Sequence, residues 1–146
     1  MKPARSLEFV RVAAVAYTAA FLVGTLVSIR KGYVAEPLGI RTGNSVRRDV
    51  LRGNGAALAA PWNMIVQMWV AVAMSRRSGR KGRRGSAWLA FLGAAFVAGS
   101  VAEPVSHKVI ARELPILETA IAVANIVFPG AILAGALASL VDGEGS

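Results

Sequence analysis

The chain has 146 residues, 55% of them hydrophobic, and its 17 lysines and arginines against 8 acidic residues give a formal net charge of +9. This composition excludes an ordinary soluble domain and favours one integral membrane domain over residues 1–146. The absence of cysteine excludes disulfides, thiolate catalysis and cysteine-ligated metals. The basic residues lie between apolar runs, which favours contact with anionic lipid headgroups and argues against a nucleic-acid partner.

Four apolar runs are each close to the ~20 residues that a helix needs to cross a bilayer. Because a helix satisfies its own backbone hydrogen bonds in lipid, the sequence predicts an all-α bundle of four transmembrane helices in the cell membrane. The first run reaches spanning length and has no clear cleavage motif, so it is interpreted as a span and not as a signal peptide. The predicted spans are residues 9–29, 56–74, 86–103 and 114–141.

The connectors between the runs predict the orientation. The segment "SRRSGRKGRRGS" holds six basic residues and no acidic one, which predicts a cytoplasmic loop over residues 75–85. Lys2, Arg5 and Arg11 place the N-terminus on the same side, so both termini are expected in the cytoplasm. The connector over 30–56 also carries six basic residues although this topology places it outside, so its side stays open. Part of it is expected to form a short helix on the headgroups.

Prolines and small residues modify this simple bundle. "FPG" at 128–130 predicts a kink or break in the fourth span. The third helix either ends near Pro104 or continues through it as a kinked helix. "AAFLVGT" at 19–25 and "AAFVAGS" at 94–100 place small residues in the first and third spans, which predicts a close approach of these two helices.

Ionisable groups inside a span cost about 2.5–3.5 kcal/mol each on insertion scales and therefore suggest function. The phrase "VAEP" occurs at 34–37 and again at 101–104, and both copies are expected near the outer side. A helix that continued through Pro104 would put a carboxylate and the only histidine on one face, four residues apart. The candidate catalytic residues are Glu103, His107, Glu36 and Glu118.

Amide and aromatic side chains of the second and fourth spans are candidates for substrate binding. Uncharged amides can donate to a substrate oxygen or orient a carboxylate. The same residues also have structural interpretations, namely contact between helices for the amides and anchoring at the membrane interface for the tryptophans. The candidates are Asn63, Gln67, Trp62, Trp69 and Asn125.

A carboxylic acid in an apolar pocket has a raised pKa and can act as a general acid towards an alkene, an epoxide or a carbonyl. A second carboxylate or the histidine can then remove a proton, and aromatic rings can stabilise a carbocation. The pattern predicts an enzyme acting on a lipophilic isoprenoid or polyketide, for example by proton-initiated cyclisation or isomerisation. One histidine and scattered carboxylates fit a metal poorly, and no phosphate loop or dinucleotide motif is present, so neither metal nor cofactor is expected.

The layout resembles the anthrone-oxygenase-like four-helix membrane proteins. The resemblance is carried by "VAEPLGI" and "VAEPVSHKVI" after the first and third helices and by "PWNMIVQMW" in the second. It implies cofactor-light chemistry on an aromatic polyketide, although the glutamates and His107 depart from that pattern. The chemistry argued above is similar to that of small membrane-bound terpene cyclases, which use intramembrane acids.

Two other classes of function stay open. One is a proton-coupled exporter of lipophilic compounds, as in the small four-helix multidrug transporters. Those carry a glutamate in the middle of the first helix, where this chain has Tyr17, Thr18 and Thr25. The other is a non-catalytic assembly subunit, whose polar residues would hold helices together. A homo-oligomer is compatible with each of these functions.

Overall fold

The structure is a computed structural model that describes residues 5–36, 38, 40, 41, 43, 45–53 and 55–142, so Lys2 lies outside it. Every secondary-structure element named over these residues is a helix, which confirms the all-α prediction. Two short helices lie at one end of the bundle that the longer helices form. This end is called the connector end below. The helices are α1 (Arg5–Lys31), α2 (Val46–Arg52), α3 (Trp62–Ser75), α4 (Gly79–Ala102), α5 (Pro104–Ile110) and α6 (Ile116–Asp142).

Three of these helices, α1, α4 and α6, are long and apolar enough to cross a membrane. Helix α3 has 14 residues. At 1.5 Å per residue it is about 21 Å long, which falls short of the ~30 Å hydrocarbon core of a bilayer. The second predicted span, 56–74, is therefore helical only from Trp62 onward. Pro61 explains the late start, because proline lacks the amide hydrogen and disfavours helical geometry at the residue before it.

The structure also decides three other points of the predicted helices, at the basic segment and at two prolines. The basic segment predicted as a loop over 75–85 is helical from Gly79, since arginine and lysine are good helix formers. Helix α4 ends at Ala102, and Glu103 is extended with ψ 135°, so the helix does not continue through Pro104. Instead Pro104 begins α5, a position that proline favours because its missing donor is not needed there. Helix α6 runs through Pro129 without ending, so the fourth span is not broken there.

Helix α6 is the centre of the bundle and packs along both α1 and α4, while α3 packs along α4. Glycines permit these close contacts. A Cβ on Gly93 of α4 would lie 2.9 Å from the Leu133 nitrogen, and a Cβ on Gly135 of α6 would lie 2.6 Å from a Val10 methyl carbon. Gly99, one of the small residues predicted to bring the first and third spans together, has no such close contact. A Cβ added there would have no atom of another element within 4 Å.

Residues 56–60, called the Ala loop below, enter the bundle from the connector end as non-helical chain. Ala56 and Ala59 exchange backbone hydrogen bonds of 2.8 and 2.9 Å, which closes the loop on itself. Leu58 at its tip is completely buried. A Cβ on Gly24 would lie only 2.0 Å from the Leu58 carbonyl oxygen. Since Gly24 precedes the end of α1 by seven residues, the loop reaches about 10 Å below that end.

We expect Gly24→Ala to destabilise the protein by about 1–3 kcal/mol, because the added methyl group meets a backbone oxygen that cannot move aside. Thermal unfolding in detergent measures the effect. Gly130→Ala is the matched control, since a Cβ there has nothing within 4 Å and alanine is the better helix former. Equal melting temperatures for the two variants would contradict the packing of the Ala loop against α1.

Candidate functional site

A cavity of about 250 Å³ lies beside the Ala loop, inside the connector end of the bundle. The Ala loop forms one wall, and the last two turns of α4 form another. Most of the lining is apolar, with alanines, Met64 and the ring of Phe96. The polar side chains in the lining are those of Glu103, Asn125 and two serines. This space is called the inner cavity, and its size is slightly below the ~300–1,000 Å³ typical of ligand pockets.

Glu103 is the buried carboxyl group of the inner cavity, with 9% of its surface exposed. The extended residue between α4 and α5 turns its side chain inward, and one carboxyl oxygen accepts a hydrogen bond of 3.0 Å from the Glu36 backbone nitrogen. Burial raises the pKa of this carboxyl above its usual value; the hydrogen bond from Glu36 opposes the shift, and the negative charge of Glu36 adds to it. Glu103 therefore holds its proton to a higher pH than an exposed glutamate does.

Asn125 of α6 also lines the inner cavity. Its amide nitrogen donates a hydrogen bond of 2.8 Å to the Leu58 carbonyl oxygen. Because a carbonyl only accepts, the amide nitrogen must face Leu58, which orients the whole group. The other amide atom, Oδ1, is buried and has no hydrogen-bond partner among the described residues. Asn125 thus holds the loop with one atom and leaves one acceptor for a ligand with a hydroxyl or amine.

Two serines of this site were not predicted. Ser100 donates to the Asn125 backbone oxygen at 3.0 Å, and Ser106 donates to the Ser100 backbone oxygen. Together they connect the end of α4 to α6 and to α5. Their hydroxyl hydrogens are used in these contacts, so towards the cavity each serine can only accept. The sequence signal that could have identified them is their spacing, because each lies three residues from Glu103.

Glu118 is separate from the inner cavity. Its side chain is almost fully buried and forms an ion pair with Lys31 at the end of α1. The pair joins the last turn of α1 to the first turn of α6. Glu118 is therefore not grouped with the candidate carboxyl group at Glu103, because it is held by a lysine 87 residues away in the chain.

Most of the remaining predicted residues also lie outside the inner cavity. His107 is exposed on α5, because α5 starts a new helix direction after Glu103. Trp69 donates its indole hydrogen to the Thr18 hydroxyl at 3.1 Å, which fixes α3 against α1. The structure places the remaining candidates from the second span on exposed surface, namely Trp62, Asn63 and Gln67.

A second space, the outer cavity, adjoins the first and has a volume of about 220 Å³. It lies among the end of α1, the start of α5 and Leu114, and its lining is more polar. Glu36 is part of it, with its carboxylate 3.9 Å from the Arg41 side chain. Lys108 of α5 is also in the lining. Glu103 contributes to both cavities and so stands between them.

The donor atoms do not suggest a metal centre within the described part of the chain, where no three His, Asp or Glu side chains come together. Comparison with known proteins finds no matching family model, no matching curated protein and no matching solved structure.

We expect Glu103→Gln to remove a pH-dependent loss of stability. Because the folded-state pKa is raised, the stabilising contribution is complete below the unfolded-state pKa and is lost as the pH rises through the folded-state pKa. The melting temperature of the wild type should therefore fall relative to Glu103→Gln as the pH rises over the range from the unfolded-state pKa through the raised folded-state pKa. Glu113→Gln, at an exposed position, is the control. A constant difference across this range would contradict the burial of an ionisable carboxyl.

We expect Asn125→Ala to cost about 1–3 kcal/mol of stability, because the buried Leu58 carbonyl oxygen loses its donor. The matched control is Asn63→Ala, which removes the same side chain from an exposed position. Thermal unfolding of both variants in one detergent gives the comparison. If Asn63→Ala lowered the melting temperature as much as Asn125→Ala, the hydrogen bond would not be what anchors the loop.

Proposed function

We propose that the protein is a membrane-embedded enzyme in which Glu103 acts as a general acid on a lipophilic substrate of isoprenoid or polyketide type. The observation that carries this proposal is a buried carboxyl group in the wall of an apolar cavity inside a bundle of membrane-length helices. Desolvation favours the protonated form of such an acid, and a proton donor held beside the reacting group is what general acid catalysis requires.

The proposed reaction is a redox-neutral cyclisation or isomerisation. The Glu103 proton adds to an alkene carbon or an epoxide oxygen of the substrate and leaves a carbocation on a neighbouring carbon. The ring of Phe96, which lines the cavity, supports cation–π stabilisation of that charge. Loss of a proton from the cation back to the Glu103 carboxylate then forms the product and restores the acid. Asn125 Oδ1 would accept a hydrogen bond from a substrate hydroxyl.

This cycle uses one carboxyl group where the sequence suggested several. Glu118 is engaged by Lys31, and His107 is exposed, so neither is placed to take a proton from the inner cavity. Glu36 contacts Glu103 through its backbone, while its side chain lies in the outer cavity. In the proposal, Glu103 is therefore both acid and base, and Glu36 orients it.

We also propose that the chain is a multi-pass protein of the cell membrane with four crossings, the second made by α3 together with the Ala loop. The opposite end from the connector end carries exposed basic side chains on the α3–α4 turn and on the first turns of α4. The positive-inside rule favours a cytoplasmic location for this end, where anionic headgroups would contact it. Both termini would then be cytoplasmic.

The layout resemblance to anthrone-oxygenase-like proteins supports a polyketide as one form of the substrate. It supports oxygenation less well, because the inner cavity presents a carboxyl group and a proton-transfer reaction needs no oxidant. The exporter and the assembly subunit are the alternatives against which the enzyme is tested.

We expect the lipophilic molecules that co-purify with the protein to change in identity when Glu103→Gln is introduced, because the variant binds substrate without converting it. The measurement is mass spectrometry of lipophiles extracted from protein purified in native-membrane nanodiscs. Glu113→Gln, at an exposed position, should give the wild-type profile.

Three results would count against the enzyme. Ordinary phospholipid alone in wild type and Glu103→Gln would favour an assembly role. The same bound lipophile in both proteins, together with a proton-dependent efflux that Glu103→Gln abolishes, would favour the exporter. The same change of the lipophile profile in Glu113→Gln would show that the loss of any acidic charge causes it, and not the loss of a carboxyl group in the inner cavity.

A further inference from the structure

The inner and outer cavities adjoin each other. Their linings have three residues in common, Ala57, Glu103 and Val105. The inner cavity extends down α4 as far as Ala95, about 10 Å below the end of that helix at 1.5 Å per residue. The outer cavity lies at the level of the helix ends. A single molecule bound in both would therefore stand along the bundle axis.

The polarity of the lining changes along this axis. At the inner end it is apolar, with Phe96, Met64 and several alanines. At the outer end it contains Tyr33, Arg41 and Lys108, at the depth where lipid headgroups lie in a membrane. This gradient matches an amphiphile with its apolar body inside and its polar head outside.

The charges of the outer cavity indicate the sign of that head. Arg41 is opposite Glu36, at 3.9 Å. Lys108 has no carboxylate within ion-pairing distance among the described residues. Glu103, the other acid of this lining, is buried and receives the Glu36 amide hydrogen. The outer cavity thus offers one uncompensated cation, and an anionic head would satisfy it.

From this arrangement we infer that the substrate is a single-chain amphiphile with an anionic head, bound by Lys108 in the outer cavity, and an apolar body in the inner cavity. The inference rests on the proposed function and narrows its substrate class. The head would also serve the chemistry, because a negative charge beside Glu103 favours the neutral, proton-donating form of a carboxylic acid.

Photo-crosslinking in nanodiscs tests the inference with two probes of equal length. One is a medium-chain fatty acid with a diazirine near its methyl end, and the other is the corresponding fatty alcohol. Labelled sites are mapped by mass spectrometry of peptides. The variant is Lys108→Gln, and the control is Arg30→Gln, which removes an exposed charge at the same end without lining either cavity.

We expect the acid to label the Ala loop and the end of α4. We expect Lys108→Gln to weaken this labelling about fivefold, as one charge contact at a partly open site does, and Arg30→Gln to leave it unchanged. The alcohol should label the same segments more weakly and should not respond to Lys108→Gln. Equal labelling by acid and alcohol, or labelling confined to lipid-facing surfaces of α1 and α6, would overturn the inference.

A Glu103→Gln arm separates this inference from the proposed catalysis. Glutamine resembles the protonated acid, so the fatty acid should still label this variant. Labelling by the acid together with an unchanged profile of co-purifying lipophiles would refute catalysis and leave the amphiphile site in place. A changed profile with no preference for the acid would refute the amphiphile site and leave catalysis in place.

Discussion

The Ala loop places non-helical backbone inside a bundle of membrane-length helices. The amide and carbonyl groups of that backbone therefore need hydrogen-bond partners from the surrounding protein. Leu58 at the tip receives a hydrogen bond from Asn125 and donates one of 3.4 Å to the Ser28 hydroxyl. Ala57 donates to the Tyr33 carbonyl oxygen at 3.4 Å. Irregular backbone at membrane depth persists only where it is enclosed in this way. The loop therefore depends on three surrounding elements at once.

The candidate site is a consequence of this loop. Since residues 56–60 are not helical, α3 is short and a space remains beside it at the connector end, between the loop and α4. Asn125, which secures the loop, also lines that space with its free oxygen. Ser100 fixes the backbone at Asn125, so the same contacts that hold the loop also shape the cavity. The amide side chain of Asn125 thus secures the loop and lines the cavity at the same time.

Hydropathy alone was enough to predict the helical class, because a helix satisfies its own backbone hydrogen bonds in lipid. It predicted four spans, of which three correspond to helices long and apolar enough to cross a membrane. It could not separate the Ala loop from α3, since a buried loop and a buried helix are equally apolar. Glu103 was identified because a carboxyl group beside an apolar run is costly. The hydrogen-bond partners of the polar side chains could not be predicted, because the partners are far apart in sequence. Glu118 pairs with Lys31, and Asn125 pairs with Leu58. A shared face for Glu103 and His107 required a helix that continued through Pro104, one of two alternatives that the sequence left open, and α4 ends at Ala102.

The two buried glutamates differ in whether a cation is paired with the carboxyl group. Glu118 faces Lys31, so its charge is compensated and its role is to hold α1 against α6. Glu103 has no cation paired with it among the described residues and instead receives one neutral amide hydrogen. A neighbouring cation favours the charged form of a carboxyl group, whereas burial without a cation favours the neutral form. Because Pro104 forces the chain out of the helix at this point, that second carboxyl lies where the apolar and polar cavities meet. Among the described residues it is the one ionisable side chain that lines both cavities.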